Sequence, residues 1–380
     1  MTTQLSTSKV NRFYYVFTLL KNDVVFSVSL FLALASCFIS QPIPSYINFK
    51  VLACLFNLMI VIKAFEELHL LDKFAVSILN KCTDSRNVSL ILIILSFFTS
   101  MLITNDIALI TLVPLALIIG KKSNIDMLMP VILQTLAANI GSSLTPMGNP
   151  QNLFIFSYYH LTTSQFFAPI ILFAISGLIW LYGLNYRNHN VKININFEPI
   201  KIEDTPKTII WAVLFVFIVL SVFGIVNYYM ALFLTLTVTL IVNRDLIRKV
   251  DYTLLVTFVC FFIFIGNISS IPAISNYMRT SLNSSSSTYF SSILLSQFIS
   301  NVPCSVFLSR FTSHWKELLL GVNIGGMGTI IASLASIISY KLFIKDNPGS
   351  GKKYIFKFSI YNLLSLGIFT LINYFAVVHK

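Results

Sequence analysis

The polar residues best suited to bind ions lie in two places where a long apolar stretch is interrupted. Residues 104–106 read Thr-Asn-Asp in the middle of the apolar segment 88–120, and residues 300–303 read Ser-Asn-Val-Pro in the middle of segment 288–313. Hydroxyl and amide groups donate and accept hydrogen bonds without carrying a charge, so they can hold an ion in surroundings where added charges are costly. These residue types predict ion binding.

A second polar motif follows each interrupted segment. Asn-Ile-Gly with a later Thr occurs at 139–145 and recurs at 323–329. Residues 141–150 contain two glycines and two prolines within an otherwise apolar stretch, so no regular helix continues through them. Unwound backbone offers carbonyl oxygens to a cation, and the adjoining helix N-termini favour an anion. The same order of motifs in both halves predicts an internal repeat.

The composition shows what must position these motifs. Of the 380 residues, 56% are hydrophobic and only 11% are charged, whereas soluble domains carry about 25% charged residues. Much of the surface must therefore face lipid, which excludes cytosolic enzymes and nucleic-acid-binding proteins. The net charge of +12 comes from basic residues in short loops, a distribution that sets membrane orientation and needs no nucleic-acid partner. We expect an all-α polytopic protein of the cell membrane.

Apolar stretches of roughly 20 residues are long enough to cross the hydrocarbon core as helices. About nine full spans are predicted, two of them as broken helices (127–160 and 316–344), the others at 24–40, 46–64, 165–186, 208–226, 228–243, 252–270 and 355–377. The positive-inside rule places the N-terminus, with Lys9 and Arg12, in the cytoplasm and the C-terminus outside.

This orientation puts both ends of segment 88–120 in the cytoplasm and both ends of segment 288–313 outside. Each segment is therefore predicted to be a re-entrant helical hairpin, and opposite polarity indicates an inverted repeat. The predicted organisation is a first repeat at 1–187, a cytoplasmic linker at 188–207 and a second repeat at 208–380. An amphipathic interfacial helix is predicted over 66–82 and a flexible external loop over 284–287.

The motifs resemble those of the ion transporter superfamily. They are T-N-D-x-A-L with N-I-G-S-S-L-T-P-M-G-N-P-Q-N in one half, and S-Q-F-I-S-N-V-P with V-N-I-G-G-M-G-T-x-x-x-S-L-A-S in the other. That group includes citrate and divalent-anion symporters, arsenite permeases and one type of sodium/proton antiporter, and the chain is most similar to its small bacterial anion permeases. The resemblance covers essentially the whole chain.

The resemblance implies one cation site in each repeat and an anion site between the hairpin tips. The implied coupling ions are sodium or protons, with no other cofactor, and members of the group are commonly homodimers. Implied cation ligands are Thr104, Asn105, Asp106, Gly141 and Thr145 in the first repeat, and Ser300, Asn301, Gly325 and Thr329 in the second. Implied substrate-binding residues are Thr104, Asn105, Asn149, Ser300, Asn301, Pro303 and Ser333.

The third tip position departs from the dicarboxylate branch, which has Ser-Asn-Thr at both tips. Asp106 and Val302 occupy this position here, and Asn-Asp is more similar to the arsenite-permease branch. Asp106 is the one acid that we place well inside an apolar segment, where charged residues are usually functional. The two interpretations of Asp106 are a cation-coupling or proton-carrying role and a cap on the returning helix.

Two functional hypotheses remain at this stage. The first is a secondary active transporter of a small anion driven by sodium or protons. The second is a sodium/proton antiporter or an arsenite-type permease of the same fold. An intramembrane enzyme is disfavoured because no second buried acid is predicted to pair with Asp106, and neither H-E-x-x-H nor G-x-S-x-G occurs.

Overall fold

A computed structural model describes residues 23–80, 82–193 and 204–379 of the chain. Helices form nearly all of this structure, and one isolated antiparallel bridge joins Asp84 to Lys192. The N-terminal basic residues and half of the predicted linker 188–207 lie outside the described residues.

The helices of the first half are α1 Val24–Cys37, α2 Phe49–Glu67, α3 Leu70–Leu79, α4 Ser85–Ile103, α5 Asn105–Ser123, α6 Leu128–Ser142, α7 Pro150–Tyr158 and α8 Thr163–Tyr186. Those of the second half are α9 Thr205–Val222, α10 Tyr228–Val242, α11 Leu246–Lys249, α12 Tyr252–Ser269, α13 Pro272–Ser281, α14 Ser285–Ile299, α15 Asn301–Ser309, α16 Trp315–Ile324, α17 Leu334–Asp346 and α18 Gly351–Asn373, which continues as a π-helix over Tyr374–Val378.

Several helices have the length and composition of membrane spans. Five of the described helices are both long and apolar enough: α4, α8, α9, α12 and α18 with its extension. At 1.5 Å per residue, an 18-residue helix extends about 27 Å, close to the thickness of the hydrocarbon core. Three shorter apolar helices, α1, α6 and α10, accompany them. The chain is a multi-pass membrane protein, and nine spans with a cytoplasmic N-terminus stay predictions.

Both broken helices occur at the predicted places. Residues 143–149 separate α6 from α7, and residues 325–333 separate α16 from α17. In the first break, Asn149 caps α7 by accepting a hydrogen bond from the Asn152 N–H, and Pro150 begins the new helix. In the second break, Gly328 has a φ of 102°, which residues with a side chain rarely adopt.

Both predicted hairpins are pairs of helices joined by one residue. Thr104 joins α4 to α5, which have 19 residues each, and Ser300 joins α14, with 15 residues, to α15, with nine. The expected loop at 284–287 is wrong, because Ser284 and Ser287 form a capping box that starts α14. The helix predicted over 66–82 corresponds to the shorter α3, because His69, with a φ of 51°, separates α3 from the preceding helix.

Each hairpin packs against helices of both halves. Within each half, the first arm of the hairpin packs against the helix before the break, α4 on α6 and α14 on α16. Across the halves, the returning arm packs against the helix after the other break, α5 on α17 and α15 on α7. The remaining contacts include α1 on α12 and α2 on α9 and α10. This arrangement brings both tips and both breaks together. The opposite orientation of the halves and the domain boundaries stay predictions.

Candidate functional site

Four helix N-termini meet around one small cavity. The starts of α5, α7, α15 and α17 line it on one side, and α1 and α12 complete it. Its volume is about 30 Å³, room for about two water-sized groups. The lining residues are Val25, Asn105, Asp106, Pro150, Gln151, Leu254, Thr257, Phe258, Phe261, Ser300, Asn301, Val302, Pro303, Ser333 and Leu334.

The residues that turn the two hairpins share an unusual backbone conformation. Thr104 has φ 82° and ψ 147°, and Ser300 has φ 71° and ψ 155°. Glycine is the usual occupant of this region, and a residue with a side chain costs about 1–3 kcal/mol there. Such strain persists only where surrounding contacts impose it, and it is typical of binding sites.

The asparagine after each turn fastens the hairpin to a break. The Asn105 N–H donates to the Gly148 carbonyl at 3.1 Å, and the Asn301 N–H donates to the Ala332 carbonyl at 3.0 Å. Gly148 and Ala332 hold the same place relative to their Asn-Ile-Gly motifs. The backbone geometry of the two tips is therefore equivalent.

The two predicted threonines make equivalent contacts as well. The Thr145 hydroxyl donates to the Met101 carbonyl, and the Thr329 hydroxyl donates to the Gln297 carbonyl at 3.0 Å. Met101 and Gln297 each lie three residues before the residue that turns their hairpin. Both threonines thus face the last turn of a hairpin's first arm, where carbonyl oxygens have no helical partner.

The predicted glycines allow close helix packing beside these contacts. A Cβ atom on Gly141 would lie 2.2 Å from the Phe97 carbonyl oxygen, and one on Gly325 would lie 2.8 Å from the Ser296 Cβ. Neither distance is sterically tolerable without a shift, so each Asn-Ile-Gly motif needs its glycine for contact with the hairpin.

One side chain in the second half has no counterpart in the first. The Gln297 amide donates to the Gly325 carbonyl at 2.8 Å, and its oxygen accepts from the Thr329 N–H at 2.9 Å. Met101, in the equivalent place, offers only a weakly accepting thioether. The amide group thus satisfies the backbone that the prediction assigned to a cation.

Asn139 joins the first tip to the second break. Its side-chain oxygen accepts from the Asn105 amide at 3.0 Å and from the Ser333 hydroxyl at 3.1 Å. All three residues are buried. Buried polar groups need such partners, because leaving one unpaired costs about 1–3 kcal/mol.

Asn323 makes the corresponding connection from the second half to the first break. Its oxygen accepts from the Asn149 amide at 3.1 Å, and its own amide donates to the Asn152 oxygen at 2.7 Å. The Asn152 amide in turn donates to three carbonyls at the end of α6 and in the first break: Ser142, Ser143 and Thr145. The two motif asparagines therefore hold the halves together at the site.

Asp106 faces the cavity from the first turn of α5. No hydrogen bond or ion pair from a described residue reaches its carboxylate, whereas its own N–H donates to the Asn105 side-chain oxygen at 3.0 Å. The geometry therefore gives no support to the helix-cap interpretation, in which free N–H groups of α5 would bind this side chain.

The twelve predicted site residues divide into two groups. Six of them line the cavity: Asn105, Asp106, Ser300, Asn301, Pro303 and Ser333. The other six do not line it and lie in one tip, the last turn of α6 and the two breaks: Thr104, Gly141, Thr145, Asn149, Gly325 and Thr329.

Sequence reasoning assigned no role to four residues of the site. Gln297, Asn139, Asn152 and Asn323 all fall inside the quoted motifs, so their polar character in apolar surroundings was a usable signal. Thr257 also lines the cavity, but a single hydroxyl in the apolar helix α12 gives no such signal.

Comparison with known proteins agrees with this architecture. The family model described as Citrate transporter matches residues 14–312. An uncharacterized transporter, MJ0456, of Methanocaldococcus jannaschii is 36% identical over 320 residues, which are 83% of this chain and 87% of that protein. The inner membrane protein YbiR of Escherichia coli is 26% identical over 337 residues, 88% of this chain and 89% of its own.

A more distant relative matches part of the chain. The putative transporter arsB of Dictyostelium discoideum is 28% identical over 174 residues, 44% of this chain and 31% of its own. These relatives are named as transporters or membrane proteins and not as enzymes, in agreement with the resemblance to the ion transporter superfamily. The chain is a multi-pass membrane transporter that belongs to the citrate transporter family.

Proposed function

We propose that this protein is a secondary active transporter that moves a small anion across the cell membrane by alternating access, driven by sodium or protons. The convergence of four helix N-termini on one cavity carries the proposal. Each N-terminus points the positive end of a helix dipole at the cavity, so together they favour a negative charge.

The proposed anion is bound without a basic side chain. No Lys, Arg or His stands among the described residues that line the cavity. Asn105 and Asn301 at the tips offer amide donors at the place where the helix ends meet, whereas the Ser300 and Ser333 hydroxyls already donate to the Ala332 carbonyl and the Asn139 oxygen. Neutral donors suit a transporter, because an anion that they hold can also leave.

The carboxylate of Asp106 supplies the proposed coupling. It faces the same cavity, so a bound anion and an ionised Asp106 repel each other. A sodium ion or a proton on Asp106 removes that repulsion, and the anion and its coupling ion then bind best together. This linkage is what a symporter requires, because each ligand raises the affinity for the other.

The proposed sodium ligands differ between the repeats. In the first repeat, the proposed ligands are oxygens of Thr104, Asn105, Asp106, Gly141 and Thr145. In the second, the Gln297 amide already donates to the Gly325 carbonyl. We therefore assign coupling to the first repeat and a structural role to the Gln297 contact.

A second candidate function is a sodium/proton antiporter of the same fold. One observation favours it: Asp106 is the one ionisable side chain among the described residues that line the cavity. Exchange of sodium for protons at this carboxylate needs no anion. An arsenite-type permease is a third variant, which the Asn-Asp tip sequence favours.

Flux measurements on purified protein in liposomes separate these functions. With an inward sodium or proton gradient, the proposal predicts gradient-driven uptake of labelled citrate, succinate or phosphate, and Asp106→Asn is expected to uncouple uptake from the gradient. Sodium-driven proton flux that needs no anion, without uptake of any anion probe, would instead support the antiporter. Anion uptake that is linear and independent of every gradient would contradict active transport.

A further inference from the structure

A second and larger cavity lies next to the central one. Its volume is about 320 Å³, and the ends of four helices and the middle of a fifth surround it. These are the starts of α2 and α10, the ends of α7 and α15, and the middle of α12 at Phe262. The positive-inside prediction puts the four helix ends at the outer membrane face, so we call this cavity the outer vestibule.

Three helices, α7, α12 and α15, line both the central cavity and the outer vestibule. On α15, Pro303 lines the first, and Val306 and Arg310 line the second. On α7, Phe154 follows Gln151 in the same way. These steps of three or four residues are one helical turn, about 5.4 Å.

Aromatic rings separate the two cavities. Phe154 of α7 and Phe262 of α12 lie with ring centroids 5.8 Å apart, and the Phe258 ring of the central cavity lies 6.1 Å from that of Phe262. All three side chains are buried.

Arg310 is held in the outer vestibule by aromatic contacts. Its guanidinium lies 5.7 Å from the ring centroid of Tyr46 and 5.8 Å from that of Tyr158, and it donates one hydrogen bond to the Tyr46 carbonyl at 3.3 Å. The stacked group keeps further N–H donors available, and its fork matches a carboxylate or oxyanion.

Lys50 adds a second positive charge to the same cavity. None of the described residues that line it is acidic, and neither Lys50 nor Arg310 forms an ion pair with a described residue. Basic side chains in a membrane protein commonly pair or reach a polar phase. Two of them facing one cavity without a counter-charge create a strongly positive potential.

We infer that the outer vestibule is an anion-binding site, where Arg310 and Lys50 capture a carboxylate or oxyanion before it passes Phe154 and Phe262 to the central cavity. The inference rests on the proposed function in that the captured anion is the transported one. It adds a site that the hairpin and break motifs do not contain. The charge needed to attract the anion lies in the vestibule, and the neutral donors needed to release it lie in the central cavity.

The test compares Arg310→Gln and Lys50→Gln with Arg279→Gln in liposomes that take up labelled citrate, succinate and phosphate. Arg279 is exposed on α13, at the same predicted face, and lines neither cavity. Each vestibule variant is expected to raise the half-saturating anion concentration about tenfold, since hydrogen bonds to charged groups are stronger than neutral ones. Maximal rates should stay near wild type, and the effect should shrink at high salt.

The control Arg279→Gln should behave as wild type, and Arg310→Lys should recover part of the affinity. If both vestibule variants match Arg279→Gln in affinity, the inference is overturned. The thermal midpoint of each purified protein shows that it is folded, and its increase with citrate measures binding without transport. One further outcome separates the two claims. If the wild-type protein binds citrate without transporting it, and Arg310→Gln no longer binds it, the proposed function is contradicted and the anion-binding site is supported.

Discussion

The two hairpin tips have the same backbone and different side chains. Thr104 and Ser300 turn the chain through the same strained conformation, and the next residue in each case donates its N–H to the facing break. The chemistry differs one residue later, where Asp106 in the first tip corresponds to Val302 in the second. The backbone geometry of the tip is therefore present in both halves, whereas the ionisable side chain, that of Asp106, is present only in the first.

The contacts behind the tips differ in the same sense. Thr145 and Thr329 bind equivalent carbonyls, but only in the second half does a hairpin place an amide side chain, that of Gln297, against the carbonyl of its motif glycine. At the first break, the Asn152 amide donates instead to the Ser142, Ser143 and Thr145 carbonyls. A side-chain donor on the glycine carbonyl leaves less need for an ion there. The comparison shows how a repeat can keep equivalent backbone geometry in both halves while, in the proposed mechanism, ion coupling is confined to one of them.

The strongest way to break this comparison is to remove the charge of the first tip. Asp106→Asn should lower gradient-driven anion uptake by more than tenfold, because one charge in low dielectric is worth well over 1.4 kcal/mol. In the wild type, lowering the pH should raise the sodium concentration needed for half-maximal uptake, since proton and sodium compete for the carboxylate. Asp106→Asn should abolish that dependence. Val302→Thr, the matched change in the second tip, should leave coupling intact, and equal loss in both variants would contradict the asymmetry.

Replacing the second-half amide tests the other side of the comparison. Gln297→Met copies Met101 and leaves the Gly325 carbonyl and the Thr329 N–H without their partner, which should destabilise the fold by about 1–3 kcal/mol. Sodium should recover part of this loss by binding the freed carbonyl. Thermal unfolding of both proteins, in sodium or in a large organic cation, measures the loss and its recovery. If sodium raises the unfolding midpoint of Gln297→Met no more than that of the wild type, this role of Gln297 is refuted.

The threonines should respond unequally. Thr145→Val and Thr329→Val keep the side-chain shape and delete one hydroxyl, at a cost of about 0.5–1.5 kcal/mol for the lost hydrogen bond. Thr145→Val should also raise the sodium concentration for half-maximal uptake by about threefold to tenfold, which matches that range. Thr329→Val should leave the sodium dependence unchanged. Identical sodium dependence in the two variants would place coupling in both repeats or in neither.

The smallest expected difference concerns the strained turns. Thr104→Gly and Ser300→Gly both relieve the backbone, a gain of roughly 1 kcal/mol that should raise the unfolding midpoint by a few degrees. The gain should be smaller for Ser300→Gly, because the Ser300 hydroxyl donates to the Ala332 carbonyl at 3.3 Å, whereas the Thr104 hydroxyl bonds to no described residue. Lower midpoints in both variants would show that neither turn is strained.

Local signals predicted the elements of the site well. Proline and glycine within apolar stretches indicated both breaks, and an isolated Thr-Asn or Ser-Asn within a long apolar segment indicated both turns. Such signals act through nearby backbone, so they can be interpreted without knowing the fold. The prediction of a loop at 284–287 was wrong because serine favours both loops and helix N-caps. The partner in the capping box decides between the two.

Contacts between distant segments could not be predicted in this way. Asn139 meets Ser333, and Arg310 meets Tyr46, because the fold brings together segments that lie far apart in the sequence. From the sequence, the charge of Arg310 predicted only the side of the membrane on which it lies. Lys50 gave no such signal, because it falls inside the predicted span 46–64. The outer vestibule forms only where four helix ends and the middle of α12 meet, which no local signal in the sequence indicates.

The most direct test of the central claim is a sodium titration of thermal stability at several pH values. Wild type, Asp106→Asn and Val302→Thr would each be purified and unfolded with increasing sodium at pH values from 5 to 9 in the presence of citrate. We predict that sodium stabilises wild type and Val302→Thr more as the pH rises, and that Asp106→Asn shows no sodium stabilisation at any pH. Undiminished, pH-dependent sodium stabilisation of Asp106→Asn would contradict the claim that the first tip alone couples the ion to the anion.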